Sequence, residues 1–239
     1  VVLRSIKRVV NWANQQGYLD IDPLKGMQIP AYERREVCLS RDEFETMLRY
    51  VDKDWFRRLC MVAFETGCRP QELTRVEARH FDAANSRWVF PVNESKGKRQ
   101  PRVIYLTPAA EKITRDLVEQ HPDGPLFCNA AGRPLKQPTI ASAFRRIRVL
   151  MGRDALQRQG IGRNEAVKQE LLARGDQRSL EVVSTDQRRS LFNAAAAKLI
   201  PKYCLYSLRH SFATNALQSG LDGLTVAILL GHRDPSMLA

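Results

Sequence analysis

The stretch Tyr206-Ser207-Leu208-Arg209-His210-Ser211-Phe212-Ala213-Thr214 sets Arg209 and His210 side by side in a segment with helical character. Glycine is common just past a helix end, so Gly220 predicts the end of a helix running from Leu205 to Gln218. A further helix, Leu224 to Leu230, is predicted to end at Gly231, directly before His232. The sequence therefore predicts two consecutive helices that carry basic side chains near their ends.

A second arginine lies far upstream, in Thr66-Gly67-Cys68-Arg69-Pro70-Gln71-Glu72-Leu73. Gly67 predicts the end of a helix from about Asp54 to Thr66, and Pro70 is typical of a first helical position. We therefore expect a short helix over residues 70 to 78. Arg69 then precedes a helix N-terminus, whose partial positive charge would favour a bound anion.

Strand-forming residues are concentrated in Arg87 to Val92 and in Arg102 to Leu106. The polar, glycine-containing segment Asn93 to Gln100 separates them and carries Lys96 and Lys98. This pattern predicts a basic β-hairpin.

Most of the other segments have helical periodicity or helix-start signals, such as the capping-box spacing of Ser40 and Glu43. The expected helices cover residues 1–16, 41–51, 108–120 and 138–151, with two more, near 164–173 and 186–199, inside a motif-free stretch at 152–200 that we interpret as an insertion. The predicted fold class is α+β, mainly α-helical with a small antiparallel β-sheet.

The chain is basic, with 38 Lys and Arg against 26 Asp and Glu, a net charge of +12 among 239 residues. Residues 93–150 hold 11 basic and 5 acidic side chains, a net charge of +6, whereas residues 36–92 hold 9 and 10, a net charge of −1. Such a cluster is either an ordinary solvated surface or a contact surface for phosphates. Nucleic acid is the expected partner.

Apolar runs are short, since the longest, Leu59 to Phe64, has six residues, far below the roughly 20 of a membrane helix. The N-terminal residues do not resemble a secretion signal, so we expect a cytoplasmic address, associated with the nucleoid in a bacterium. The five cysteines contain no C-x-x-C pair, so we expect reduced thiols and neither a disulfide framework nor a zinc site.

In this order and spacing, four segments resemble the tyrosine recombinase (phage integrase) family: the Arg69 box, the Lys96 hairpin, the Arg209 box and Leu230-Gly231-His232. The matching family motifs are T-G-x-R-x-x-E-L, a hairpin lysine, H-x-L-R-H-S-F-A-T and L-G-H. The resemblance covers residues 31–239 and implies the catalytic-domain fold of that family. Residues 1–30 then match the last helix of an N-terminal core-binding domain plus a linker.

The resemblance assigns roles that also make chemical sense, because breaking a phosphodiester without metal requires cations around an extra negative charge. Arg69 and Arg209 would clamp the phosphate, and Glu72 would orient Arg69. Lys96 would protonate the departing 5′ oxygen as general acid, with Lys98 as the rival.

Three further residues belong to the family's second and third boxes. His232 matches the third-box histidine, which donates to phosphate, although a capping or core histidine is the alternative. Tyr206 stands where the family usually has histidine; a phenol still donates a hydrogen bond but is a poor base at neutral pH. His210 is expected to be structural.

The expected DNA-binding side chains are basic and lie in or after the hairpin: Lys98, Arg99, Arg102, Arg145, Arg146 and Arg148. The attacking tyrosine of the family follows the third-box histidine by roughly nine or ten residues, which falls beyond Ala239. We therefore expect a chain that is truncated at both ends and inactive in cleavage.

The resemblance implies a site-specific DNA recombinase or integrase that cuts and rejoins strands through a 3′-phosphotyrosyl intermediate. It implies no metal, ATP or other cofactor, and its expected partners are duplex DNA and other copies of the protein, assembled as a tetramer on paired sites. The alternatives are a non-catalytic DNA-binding relative and an enzyme like the type IB topoisomerases.

Overall fold

The computed structural model describes residues 2–28, 37–95 and 99–231. The chain divides into two compact units, Val1–Arg35 and Glu36–Ala239. The first unit contains helix α1, Val2–Gln15, in which no residue is buried. A turn-rich segment follows α1, and Lys7 Nζ of the helix donates to the carbonyl of Met27 in that segment over 2.8 Å.

The second unit is mainly helical. Its helices are α2 (Arg41–Arg49), α3 (Asp54–Thr66), α4 (Pro70–Leu73), α5 (Pro108–Gln120), α6 (Gln137–Arg158), α7 (Arg163–Ala173), α8 (Thr185–Lys198), α9 (Leu205–Gln218) and α10 (Gly223–Leu230). Short 3₁₀ helices occupy Ala78–His80 and Leu180–Val182. Strands β1 (Phe81–Asp82), β2 (Arg87–Phe90) and β3 (Arg102–Tyr105) form one antiparallel sheet in the order β1-β2-β3.

Local sequence signals account for many of these helix ends. Ser40 and Glu43 form the expected capping box at the start of α2, with Glu43 N donating to Ser40 Oγ over 3.2 Å. Gly67 ends α3 with φ of +58°, a left-handed conformation that favours glycine. A Cβ at Gly67 would also collide with the ring of Phe212, so this turn fixes a close approach between α3 and α9.

The main core lies where α2, α3, α5, α9 and the first half of α6 meet the sheet. The rings of Phe44 and Phe64 stack at 3.9 Å, and Phe56 meets Phe144 edge-on at 4.9 Å. Trp88 of β2 is fully buried and pairs in register with Ile104 of β3. This core fixes the position of the loop between α3 and α4 relative to α9, and that placement organises the candidate site.

The stretch interpreted as an insertion forms a helical subassembly. α7 and α8 appear where the sequence predicts them, and α6 extends to Arg158, seven residues past its expected end at Met151. Small clusters of buried side chains hold α6, α7 and α8 together, among them Val167, Leu171 and Leu191. Gly152 allows α6 and α8 to pack closely, because a Cβ there would collide with the backbone of Ala196 in α8.

Two other expectations for elements need correction. The helix expected over residues 70–78 ends at Leu73, after which the chain turns and Glu77 forms an isolated bridge with Pro125. A helix of one turn has little macrodipole, so the favourable field expected at Arg69 is weak. The hairpin is also joined by a third strand, β1, which the sequence analysis did not predict.

Candidate active site

Two arginines that are 140 positions apart in sequence converge on the C-terminal end of α10. Arg69 directly precedes α4, and its Nη2 donates to the carbonyl of Gly231 over 2.6 Å. Arg209 lies on α9, and its Nη2 donates to the carbonyl of Leu230 over 2.7 Å. Because the two acceptors are neighbours in the chain, both guanidinium groups lie at the same turn. We name this cluster, together with Glu72 and Arg102, the arginine pocket.

Glu72 holds Arg69 in place. One carboxylate oxygen, Oε2, accepts from the backbone amide of Arg69 over 2.6 Å, and the other, Oε1, accepts from Arg69 Nη1 over 2.8 Å. The orienting role expected for Glu72 agrees with these two contacts. The side chain of Arg69 is 20% exposed and borders a cavity of about 550 Å³ that also reaches Ser95 at the hairpin. Arg69 therefore combines a fixed orientation with access to open space.

Arg209 is more deeply placed, with only 6% of the residue exposed. Its Nη1 donates to the carbonyl of Gly67 over 2.6 Å, which ties α9 to the left-handed turn after α3. Burial and the neighbouring Arg69 lower the pKa of Arg209 to about 10, and Glu72 opposes that shift. Arg209 remains charged at neutral pH, since this pKa lies well above 7. The pocket thus carries net positive charge, buried at Arg209 and accessible at Arg69.

Arg102 was expected to contact DNA, but its guanidinium lies inside the protein. The side chain is 10% exposed and pairs with Glu72 Oε1 over 3.2 Å. Burial lowers the pKa of Arg102, against the opposing effect of Glu72. Alternation along β3 gives a signal for this position, because Arg102 and the buried Ile104 point to the same side of the strand. The inward position of Arg102 is therefore indicated by the sequence pattern, although its charge suggests the surface.

Tyr206 and His210 lie together on the exposed side of α9, one helical turn apart, and Tyr206 is 54% exposed. Tyr206 is three residues before Arg209 and is open to solvent. Lys96, Lys98 and His232 fall outside the described residues, so their expected roles stay predictions.

The other expected DNA-binding residues have different surroundings. Arg99 and Arg145 are exposed. Arg146 is also exposed but pairs with Asp52 over 2.9 Å, and Arg148 Nε donates to the carbonyl of Ile200 over 2.7 Å. Of these, Arg99 and Arg145 are the ones whose surroundings best suit contact with an external phosphate.

Over residues 2–28, 37–95 and 99–231, none of the helices has the length and apolar character needed to cross a membrane. Within the same ranges, His, Cys, Asp and Glu form no group of three suited to a metal ion.

Comparison with known proteins places this architecture among the tyrosine recombinases. In fold, the chain resembles the Tn1549 transposon integrase in complex with a circular intermediate DNA, with a TM-score of 0.61 and 15% identity over 98% of this chain and 71% of that one. It also resembles a λ integrase dimer bound to a COC′ core site, with a TM-score of 0.60 and 14% identity over 98% of this chain and 56% of that one. The fold is that of a tyrosine recombinase catalytic domain.

Comparison of sequences identifies the family. The model of the phage integrase family matches residues 38–164, which is more than half of the chain. The chain is also 25% identical over 252 aligned residues to tyrosine recombinase XerC of Lactobacillus delbrueckii subsp. bulgaricus, covering 98% of this chain and 68% of the relative. This protein belongs to the phage integrase family, whose members recombine and integrate DNA.

Proposed function

We propose that this protein is the catalytic part of a site-specific recombinase that binds duplex DNA and breaks and rejoins its strands. The observation that carries the proposal is the meeting of Arg69 and Arg209 at adjacent carbonyls of α10. Guanidinium groups fixed in this way suit an anion with two or more acceptor oxygens, such as a phosphodiester. The net charge of +12 and the DNA complexes of the fold neighbours support a DNA partner.

In the proposed mechanism, Arg69 and Arg209 stabilise the negative charge that develops on the phosphorane, and Glu72 orients Arg69. Lys96 protonates the 5′ leaving oxygen, with Lys98 as the alternative, and His232 and Tyr206 donate to phosphate oxygens. The nucleophile is a tyrosine that follows Ala239 in the complete reading frame. Its attack forms a 3′-phosphotyrosyl bond and releases the 5′ hydroxyl, and reversal of the step rejoins a strand.

The energy of the phosphodiester is conserved in that bond, so the proposed reaction has no need of ATP or a metal. Copies of the protein assemble as a tetramer on paired DNA sites. The hairpin and its neighbours, including Arg99 and Arg145, supply further phosphate contacts.

The test measures single-turnover cleavage of a nicked duplex by the product of the complete reading frame. Arg69→Gln and Arg209→Gln each remove a preorganised donor, and each is expected to slow cleavage by about a hundredfold or more while DNA affinity changes far less. Arg158→Gln is the matched control, because Arg158 is exposed at the end of α6 and 71% of its side chain is accessible. Cleavage at the wild-type rate by both pocket variants would contradict the proposal.

Further measurements distinguish the candidate functions and test Lys96 as the general acid. A covalent adduct on a denaturing gel supports the enzyme over a non-catalytic relative, and strand exchange between paired sites supports a recombinase over a topoisomerase-like enzyme. Lys96→Ala should slow cleavage at an ordinary 5′ oxygen but recover on a 5′-thio substrate, whose leaving group needs no proton. An equal defect on both substrates would instead direct the same test to Lys98.

A further inference from the structure

Arg102 links three separate parts of the arginine pocket. Its Nε donates to Glu72 Oε1 over 3.2 Å, its Nη1 to its neighbour's carbonyl, Val103 O, over 2.8 Å, and its Nη2 to the carbonyl of Leu229 over 2.9 Å. The first contact reaches α4 and the last reaches α10, whereas Arg102 itself begins β3. With its side chain only 10% exposed, these contacts are internal to the protein.

The contact with Glu72 couples Arg102 to Arg69. Both arginines donate to the same carboxylate oxygen, Arg69 Nη1 over 2.8 Å and Arg102 Nε over 3.2 Å. Two cations therefore share one anion in a partly buried place. If either guanidinium moves, the hydrogen bond between Glu72 Oε1 and the other guanidinium changes.

The contact with Leu229 completes a row at the end of α10. The last carbonyls of a helix have no intrahelical partner. Here Arg102, Arg209 and Arg69 donate to the carbonyls of Leu229, Leu230 and Gly231 in that order. Arg102 also packs against the turn itself, because a Cβ on Gly231 would lie 2.8 Å from its Cζ.

We propose that Arg102 is a positioning residue for strand cleavage, which holds Glu72 and the end of α10 so that Arg69 and Arg209 keep a fixed orientation. Arg102 acts through these groups and does not contact a DNA phosphate. The inference rests on the proposed function, since it assigns Arg102 a part in that same reaction. It replaces the expectation that Arg102 binds DNA.

The first test needs no cleavage and uses the present chain. Hydrogen exchange of the α10 amides is compared for wild type, Arg102→Gln and Arg153→Gln. Arg153 is a suitable control, because it is a partly buried arginine that bonds Asn193 over 2.6 Å in the α6–α8 subassembly. Loss of the Leu229 contact should speed exchange at the end of α10 roughly 5- to 30-fold in Arg102→Gln, and Arg153→Gln should leave it unchanged. Unchanged exchange in Arg102→Gln overturns the proposal.

The second test separates positioning from phosphate contact, with the product of the complete reading frame. At saturating DNA, Arg102→Gln should cleave about a hundredfold more slowly, as expected when reacting groups are slightly misplaced. Its plot of log affinity against log salt should keep the wild-type slope, whereas loss of a phosphate contact reduces the slope by about 0.9. Wild-type cleavage at saturation, or a slope reduced by that amount, would overturn the positioning role.

Arg102→Lys keeps the positive charge but not the planar guanidinium group. It is the variant to test if Arg102→Gln does not fold. We expect it to keep the DNA affinity and the salt slope and to lose cleavage rate, and full cleavage by this variant would argue against the proposal. The outcomes also separate the two inferences. A wild-type protein that forms no adduct contradicts the proposed function, whereas the exchange experiment judges the placement of α10 by itself.

Discussion

Glu72 is the anion shared by two cations of the arginine pocket. Its two carboxylate oxygens accept from the Arg69 amide, from Arg69 Nη1 and from Arg102 Nε. Its side chain is 12% exposed, so water replaces these contacts poorly. Glu72 therefore offsets part of the repulsion between guanidinium groups that must lie close together to act on one phosphate.

Glu72→Gln keeps the shape of the side chain but removes its charge. We expect the free energy of unfolding to fall by about 3 kcal/mol, because the variant leaves two partly buried cations without their anion. Urea denaturation at pH 7 measures this loss. Glu119→Gln makes the same change at an exposed position of α5 and should leave stability within about 0.5 kcal/mol of wild type. Equal stability of the two variants would show that Glu72 is not needed to balance the pocket.

Among the elements, α7 and α8 are joined by a buried carboxylate. Glu170 of α7 is 3% exposed and pairs with Lys198 of α8 over 2.6 Å and with Arg174 over 2.8 Å. Burial by itself raises the pKa of Glu170, but the bonds from Lys198 and Arg174 outweigh it and lower the pKa overall. The ion pair between Glu170 and Lys198 is therefore a pH-dependent link between α7 and α8.

The lowered pKa of Glu170 in the folded state predicts how the free energy of unfolding changes with pH. The stabilisation is complete above the unfolded pKa, about 4.3 for glutamate, and is lost as the pH falls through the lower folded-state pKa. Wild type should thus exceed Glu170→Gln in free energy of unfolding at pH 7, and the difference should shrink steadily below about pH 4. Urea titrations at several pH values measure it. Glu165→Gln, an exposed change on α7, should show no such trend, and a constant gap for Glu170→Gln would contradict the assignment.

Element boundaries were predictable where the cause is local. The capping box at Ser40 and the left-handed glycines at Gly67 and Gly231 mark helix ends in the sequence itself. The strand β1 was not predictable in this way, because its two residues pair only with Trp88 and Arg87 across a turn. The extension of α6 to Arg158 was not predictable from local signals either, because it packs against α8, which approaches Gly152 closely.

The candidate site was likewise predictable only in part. Motifs and spacing singled out Arg69, Glu72 and Arg209, whose side chains do meet. Charge alone suggested a surface role for Arg102, whereas its alternation with Ile104 along β3 indicated an inward side chain. Its bond to Leu229, 127 positions away, depends on tertiary packing.

The net charge of +12 on 239 residues predicts how the protein binds DNA. The chain should bind duplex DNA weakly and without sequence preference, and log affinity should fall linearly with log salt by about 0.9 for each phosphate neutralised. A fluorescence titration at several salt concentrations measures the slope.

A pair of variants sharpens that measurement. Arg145→Gln should reduce the slope by about 0.9 if the exposed Arg145 contacts a phosphate, and Arg158→Gln should leave it unchanged. Binding that does not weaken with salt would exclude an electrostatic DNA surface, and an unaltered slope in Arg145→Gln would remove that residue from it.

The row of carbonyls at the end of α10 also bears on synthesis of the chain. Its donors come from residues 127, 21 and 162 positions away, so two of these three contacts join distant parts of the sequence. Contacts of such long range carry a loop-closure cost that local contacts do not, so we expect them to form late in folding. The N-terminal parts of a chain fold first during translation, so a nascent chain holds Arg69 and Arg102 before α10 has left the ribosome. A polypeptide still being made is thus a basic protein without an assembled pocket, and the pocket forms only once α10 has emerged from the ribosome.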